Sequence, residues 1–138
     1  MFGLTVKGGM AQSLAPDVCN TPAPPAGPVP IPYVNMFQLS QTDPSTASQK
    51  VFFDGAQVVN VQSEVPLSQG DEPGTAGGII SGKFIGPGTI SPASGSQKVL
   101  IEGKQAVAMG AMTFHNGKAA FNTTGICPLA AQAKVMVC

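Results

Sequence analysis

Apolar positions come in short runs closed by Gly, Pro, Ser or Asn, a spacing that suits strands and turns and leaves little room for helix. One pattern occurs twice. Ser48-Gln49-Lys50-Val51-Phe52-Phe53-Asp54-Gly55-Ala56-Gln57-Val58-Val59 returns as Ser96-Gln97-Lys98-Val99-Leu100-Ile101-Glu102-Gly103-Lys104-Gln105-Ala106-Val107. Seven of the twelve positions are identical, and Phe52/Leu100, Phe53/Ile101 and Asp54/Glu102 keep their character. Each copy is a β-branched or aromatic run, an acidic residue with Gly, then a second apolar run. An acidic residue and Gly between two such runs predict a β-hairpin, because a tight turn needs a positive φ that Gly accepts without steric cost. The offset of 48 residues predicts a repeat architecture, in which each unit packs its apolar face on its neighbour.

Outside the copies the chain reads as turns and edges. Leu4-Thr5-Val6 is a short strand candidate and a degenerate partner for the repeat. From Pro16 to Asn35 prolines are dense, with Pro22, Pro24, Pro25, Pro28, Pro30 and Pro32 following Pro16. Proline fixes φ and removes a donor, so this stretch is neither a helix nor a central strand. Pro28 to Tyr33 is expected to be extended, with Val29, Ile31 and Tyr33 making it an ordered coat rather than a linker. Asp43-Pro44 starts a turn. Gly70 to Gly78 is rich in Gly but lacks a P-loop Lys-Ser/Thr and a GxGxxG before a helix, so Gly77 and Gly78 read as bends or close backbone approaches. Leu129 to Ala133 is the one place where a helical turn is expected.

Composition narrows the classes. At 138 residues the chain is one domain by length, and 43% of it is apolar. Charged residues make up 10%, net charge is zero, and all seven basic residues are Lys. Without Arg or a basic face, nucleic acid is not an expected partner. A surface so poor in charge suggests that a protein partner covers part of it. Met1 to Ala15 has no basic stretch followed by an apolar run, so no cleaved leader is expected, and no apolar run approaches a membrane span.

Several motifs carry a resemblance. Pro16-Asp17-Val18-Cys19, Pro28-Val29-Pro30-Ile31-Pro32-Tyr33-Val34-Asn35, Gly70-Asp71-Glu72, Gly74-Thr75-Ala76-Gly77-Gly78 and Met112-Thr113-Phe114-His115-Asn116, in that order, resemble the PAAR-like domain family. The resemblance runs from about Pro16 to His115. It implies an all-β fold, a small cone-shaped β-hairpin repeat with pseudo-three-fold symmetry and Gly/Pro-rich loops, over a single domain spanning residues 1–138. It also implies a structural role. Such a protein caps the trimeric β-helical spike (VgrG-like) of a bacterial contractile injection system, such as a type VI secretion system, one tip per trimer. It sharpens the spike for membrane piercing and protein translocation. Effector cargo and a transient contact with the target membrane follow as further partners. Location would be cytoplasmic until assembly, then outside or in the target cell. The chain departs from the family in showing two clear hairpin copies rather than three, and no toxin domain follows before Cys138.

The candidate chemistry rests on Cys19, His115, Cys127 and Cys138. Three Cys and one His are one tetrahedral zinc set with none left over, although no CxxC pair supports it. The other reading of the same residues is buried inert thiols and a solvated His. PAAR proteins are similar in holding a metal with His and Cys near the point, so the resemblance favours one structural zinc, with iron as the other metal. Cys127 and His115 are also a nucleophile and base by type, but no oxyanion-hole loop is recognisable and no enzyme activity is expected. A small zinc-stabilised module that recognises a peptide or protein is the alternative function.

Overall fold

The computed structural model describes residues 2–14, 16–22, 27–70, 72–82, 86–117, 120–130 and 132–137. The described residues are all-β, with two short 3-10 turns. No helix among them is long and apolar enough to cross a membrane. Four strands, β1 (Met10–Ser13), β2 (Asp17–Thr21), β3 (Val29–Tyr33) and β4 (Met36–Gln38), precede the first repeat copy. That copy is the hairpin β5 (Phe52–Phe53) and β6 (Ala56–Gln57). β7 (Glu64–Val65) and β8 (Gly88–Ile90) follow, and the second copy is β9 (Leu100–Ile101) and β10 (Lys104–Gln105). The chain closes with β11 (Ala111–His115) and β12 (Thr123–Cys127).

Both repeats turn where the sequence predicts. Asp54 and Gly55 have φ of 53° and 79°, and Glu102 and Gly103 have 53° and 82°. Two successive positive φ values are the geometry whose twist matches flanking antiparallel strands. The registers agree, Phe52 opposite Gln57 and Leu100 opposite Gln105.

A third copy is present, and it is split. Gly3-Leu4-Thr5 stands where Val58-Val59-Asn60 and Ala106-Val107-Ala108 stand. Bridges Thr5↔Val58, Asn60↔Ala106 and Ala108↔Gly3 close a ring. The same cycle recurs in the amide bonds from Val6 N to Gln57 O, Val61 N to Gln105 O and Met109 N to Phe2 O, at 3.0, 3.2 and 2.8 Å. The outer strand of the third unit comes from the opposite part of the chain, since Phe2 bridges Met136 as Gln57 pairs Phe52. Gln132 does the work of Ser48 and Ser96. The two serine hydroxyls accept from Val51 N and Val99 N at 3.0 and 3.1 Å, and Gln132 Oε1 accepts from Val135 N at 2.8 Å. The helical turn expected over 129–133 is not formed by its described residues, because the Gln132 side chain caps this strand instead.

The ring encloses Leu4, Val59 and Val107, all fully buried. Above it stands a six-stranded antiparallel sheet in the order β4-β1-β12-β11-β8-β7. β11 alternates strictly, Ala111, Thr113 and His115 inward and Met112 exposed, as the two-residue period of a strand requires. Apolar side chains fill the half nearest the ring, where Phe37, Leu39, Ala111 and Cys127 join Leu4, Val59 and Val107 in one cluster. The other half, the distal end, is polar inside. There β2 and β3 form a separate hairpin, with Cys19 bridged on its other side to Gly78. Pro28 to Tyr33 is thus extended and an edge, as its prolines require.

Leu4 tests the third copy. Leu4→Ala is expected to cost about 3 kcal/mol of unfolding free energy, the usual result of a cavity in a packed site. Leu129→Ala, at an exposed position, should stay within about 0.5 kcal/mol. Denaturant midpoints of the two variants check this.

Candidate functional site

Of the four predicted ligands, the three that are described, Cys19, His115 and Cys127, do not converge. Cys127 and His115 face the same interior, but at opposite ends of the β11–β12 ladder. Ala111 pairs Cys127, and His115 pairs Thr123. Four residues of strand separate the two levels by about 13 Å, too far for one metal ion or for a nucleophile and its base. Cys127 lies in the apolar half, where burial pushes its thiol up to about 11 and its sulfur contacts Leu129 O at 3.6 Å. Cys138 lies outside the described residues.

His115 is fully buried against Phe37, ring centroids 4.8 Å apart. Both ring nitrogens are taken. Nδ1 lies 2.8 Å from Asn35 Oδ1, and Asn35 Nδ2 donates to Ser68 Oγ at 2.9 Å. That orientation of the Asn35 amide makes Nδ1 the donor, so Nε2 accepts from the Thr113 hydroxyl at 2.8 Å. Close packing completes the site, since a Cβ at Gly125 would stand 2.6 Å from Nε2. Burial lowers the His115 pKa to about 4.

Cys19 sits one level further out, with Asp17, Asn116 and Asn122. Asn116 Nδ2 donates to Cys19 Sγ at 3.6 Å, and Cys19 Sγ contacts Asp17 Oδ1 at 3.5 Å. Asn122 Nδ2 donates to Asp17 Oδ1 and to Val18 O. Both amides are fixed by backbone donors, Asn116 Oδ1 by Gly86 N and Asn122 Oδ1 by Ile80 N. Their NH2 groups therefore point at the thiol and the carboxylate. Asp17 is fully buried, and its Oδ2 has no partner among the described residues. Donors aimed at Cys19 Sγ and Asp17 Oδ1 occupy lone pairs that a cation would use on those two atoms, while Asp17 Oδ2 accepts none among the described residues. Among the described residues no group of three or more His, Cys, Asp and Glu is placed to hold a metal. Cys19, His115 and Cys127, as arranged, do not fit one tetrahedral zinc. The sequence pattern assigned no role at this site to Asn35, Asn116 or Asn122. The available signal was Asn116 directly before Gly117, since Asn116 takes a φ of 55° that Asn tolerates better than most residues.

The ring face carries a different pattern. Phe52, Leu100 and Met136 occupy equivalent positions on the three outer strands, and each is more than half exposed. The rim between them is tied in the same rotational sense. Lys134 Nζ meets Asp54 at 2.8 Å, with Lys7 at 3.3 Å, and these ammonium groups hold the Asp54 carboxyl below its ordinary pKa. Ser48 Oγ and Gln49 N donate to Glu102 at 2.6 and 2.8 Å, with the same effect on Glu102.

Two measurements follow. The unfolded chain protonates His115 near pH 6.5 and the folded protein near 4. The stability from neutral His115 is therefore complete above about pH 6.5 and falls as the pH drops below it, by about 2–3 kcal/mol at pH 4.5. Urea unfolding of the wild type and His115→Gln should differ in this slope. Purified protein should carry well under one equivalent of zinc or iron, and chelators should leave its melting temperature unchanged.

Comparison with known proteins places the chain. No curated protein and no solved structure matches it. Residues 10–124 match the family model described as the Toxin PAAR-like domain. With most of the chain matched, and the all-β hairpin repeat already in place, the protein belongs to the Toxin PAAR-like domain family.

Proposed function

We propose that the ring face caps a trimeric β-helical spike of a contractile injection system, one molecule per trimer. The observation that carries this reading is the three-fold set made by one chain. Three bridges close the ring, and Phe52, Leu100 and Met136 stand outside it, 54%, 62% and 65% exposed. A trimeric β-helix ends in three equivalent sets of unpaired backbone groups and three equivalent apolar interiors. A lone monomer gains nothing from three matched exposed side chains, whereas a three-fold partner would cover all three at once. Family membership supports the same partner class. The role is structural, in that the cap closes the strand ends and supplies a rigid point. Effector cargo would travel with the assembled spike.

The rim carboxylates are few and already bonded, Asp54 by Lys7 and Lys134 and Glu102 by Ser48 and Gln49, so apolar contact dominates the expected interface. Association with the cognate spike should fall only weakly as salt rises. Phe52→Asp or Leu100→Asp should weaken it by roughly a hundredfold, since each buries a charge in an apolar contact. Native mass spectrometry should show one cap on three spike chains. Three caps per trimer, or binding indifferent to both substitutions, would overturn this reading.

A further inference from the structure

The polar distal half brings together a thiol, a carboxylate and a carboxamide, the three groups that an intramolecular acyl transfer requires. Cys19 and Asp17 are fully buried, and Asn122 is buried beside them. Asp17 Oδ1 contacts Cys19 Sγ at 3.5 Å and also accepts from Asn122 Nδ2, which itself lies 4.0 Å from the sulfur. The Asn122 amide oxygen accepts from two successive backbone N–H groups, Ile80 N at 2.9 Å and Ser81 N at 3.4 Å.

Gly78 shows how the amide carbon comes to lie near the sulfur. Cys19 and Gly78 are antiparallel bridge partners, and directly opposed residues of such a pair present their side chains on one face. A Cβ at Gly78 would stand 2.6 Å from Asn122 Cγ. The missing side chain thus leaves its place, next to that of Cys19, to the Asn122 amide. Asn122 N donates to His115 O at 3.0 Å, which anchors the residue to the end of β11.

Two features set this cluster apart from an ordinary polar core. Asp17 Oδ2 has no partner among the described residues, and a buried acceptor left without a donor costs stability that a purely structural role does not require. Paired N–H groups on one amide oxygen are also the arrangement that stabilises a developing oxyanion. Burial keeps water from the acyl carbon.

We propose that Cys19 and Asn122 form an internal thioester. Cys19 Sγ attacks Asn122 Cγ, and the carbonyl electron pair moves to Oδ1, where Ile80 N and Ser81 N hold it. Asp17 takes the thiol proton and delivers it to Nδ2. The C–N bond breaks, its electron pair leaves with nitrogen, and one ammonia is released as the thioester C–S bond remains. No oxidant and no second substrate is consumed. Asn116, whose Nδ2 donates to the sulfur at 3.6 Å, is a positioning residue. The bond ties β2 to the start of β12 across 103 positions of sequence. It stands whether or not the ring face binds a spike.

Intact mass under acidic denaturation tests this on the full chain, purified without amine buffers or thiol reductants. The expected mass is one ammonia below that of the sequence, in a fraction that grows on incubation at neutral pH. Alkylation in denaturant should find one reactive thiol fewer than the three cysteines of the sequence. Methylamine in denaturant should restore the third thiol and leave an N-methyl amide at Asn122. Cys19→Ala and Asn122→Ala should each keep their full mass, and Asp17→Asn should slow formation by roughly a hundredfold. Asn116→Ser should slow it while unfolding stays cooperative. The wild-type mass and thiol count need no variant, so they decide the matter even where a substituted chain fails to fold. A full-mass chain with three reactive thiols after prolonged incubation would overturn the proposal. So would loss of ammonia with all three thiols intact, the mark of a succinimide at Asn116-Gly117, or a loss that persists in Cys19→Ala.

Discussion

Three backbone hydrogen bonds around Leu4, Val59 and Val107 set the rest of the structure. From Val6 to Gln57, Val61 to Gln105 and Met109 to Phe2, each unit donates to the next, and the third returns to the first. Closing the cycle pairs the inner strand of each unit with that of the next and leaves one apolar residue per unit to fill the axis. From this ring β1 and β11 run outward, which carries their inward residues in order from apolar to polar. Ala111 lies near the ring and His115 at the far end. The positions of the candidate ligands follow from that direction.

The hairpins were legible because their determinants are local. An acidic residue with Gly needs no distant partner to make its turn, and the alternation on either side shows which residues pair. The third unit was not legible as a hairpin. Its turn chemistry is missing, Gln132 replaces the serine, and its two strands lie at opposite ends of the sequence. Lys134-Val135-Met136-Val137 nonetheless repeats the Lys-Val-apolar-apolar run of Lys50 and Lys98, and read beside Leu4 it would have given the third copy. The zinc set depends on the opposite kind of information. Counting three Cys and one His captures stoichiometry, but not the level on which each side chain sits, and level depends on strand register.

The distal half is organised by amides instead. Asn35, Asn116 and Asn122 each present donor and acceptor in fixed opposition, so Asn116 and Asn122 join a backbone donor on one loop to a buried acceptor on another, and Asn35 joins His115 to Ser68. This joins the Pro-rich hairpin and the Gly-rich loop to the sheet where little apolar area is available. It also makes His115 a neutral spacer between Asn35 and Thr113.

The split third unit has a consequence for how the chain comes to be folded. Phe2 finds its partner at Met136, so the ring joins residues separated by nearly the whole sequence. Loop closure over that distance is entropically late, and topologies dominated by such contacts fold slowly. During synthesis the Leu4 segment leaves the ribosome well before the segment around Val135 and waits for it, with its apolar side chain uncovered. The two complete hairpins can form as they emerge, but they have no finished axis to pack on. The Val135 segment, made after both hairpins, therefore acts as the keystone, turning two independent hairpins and an idle strand into one cooperative body.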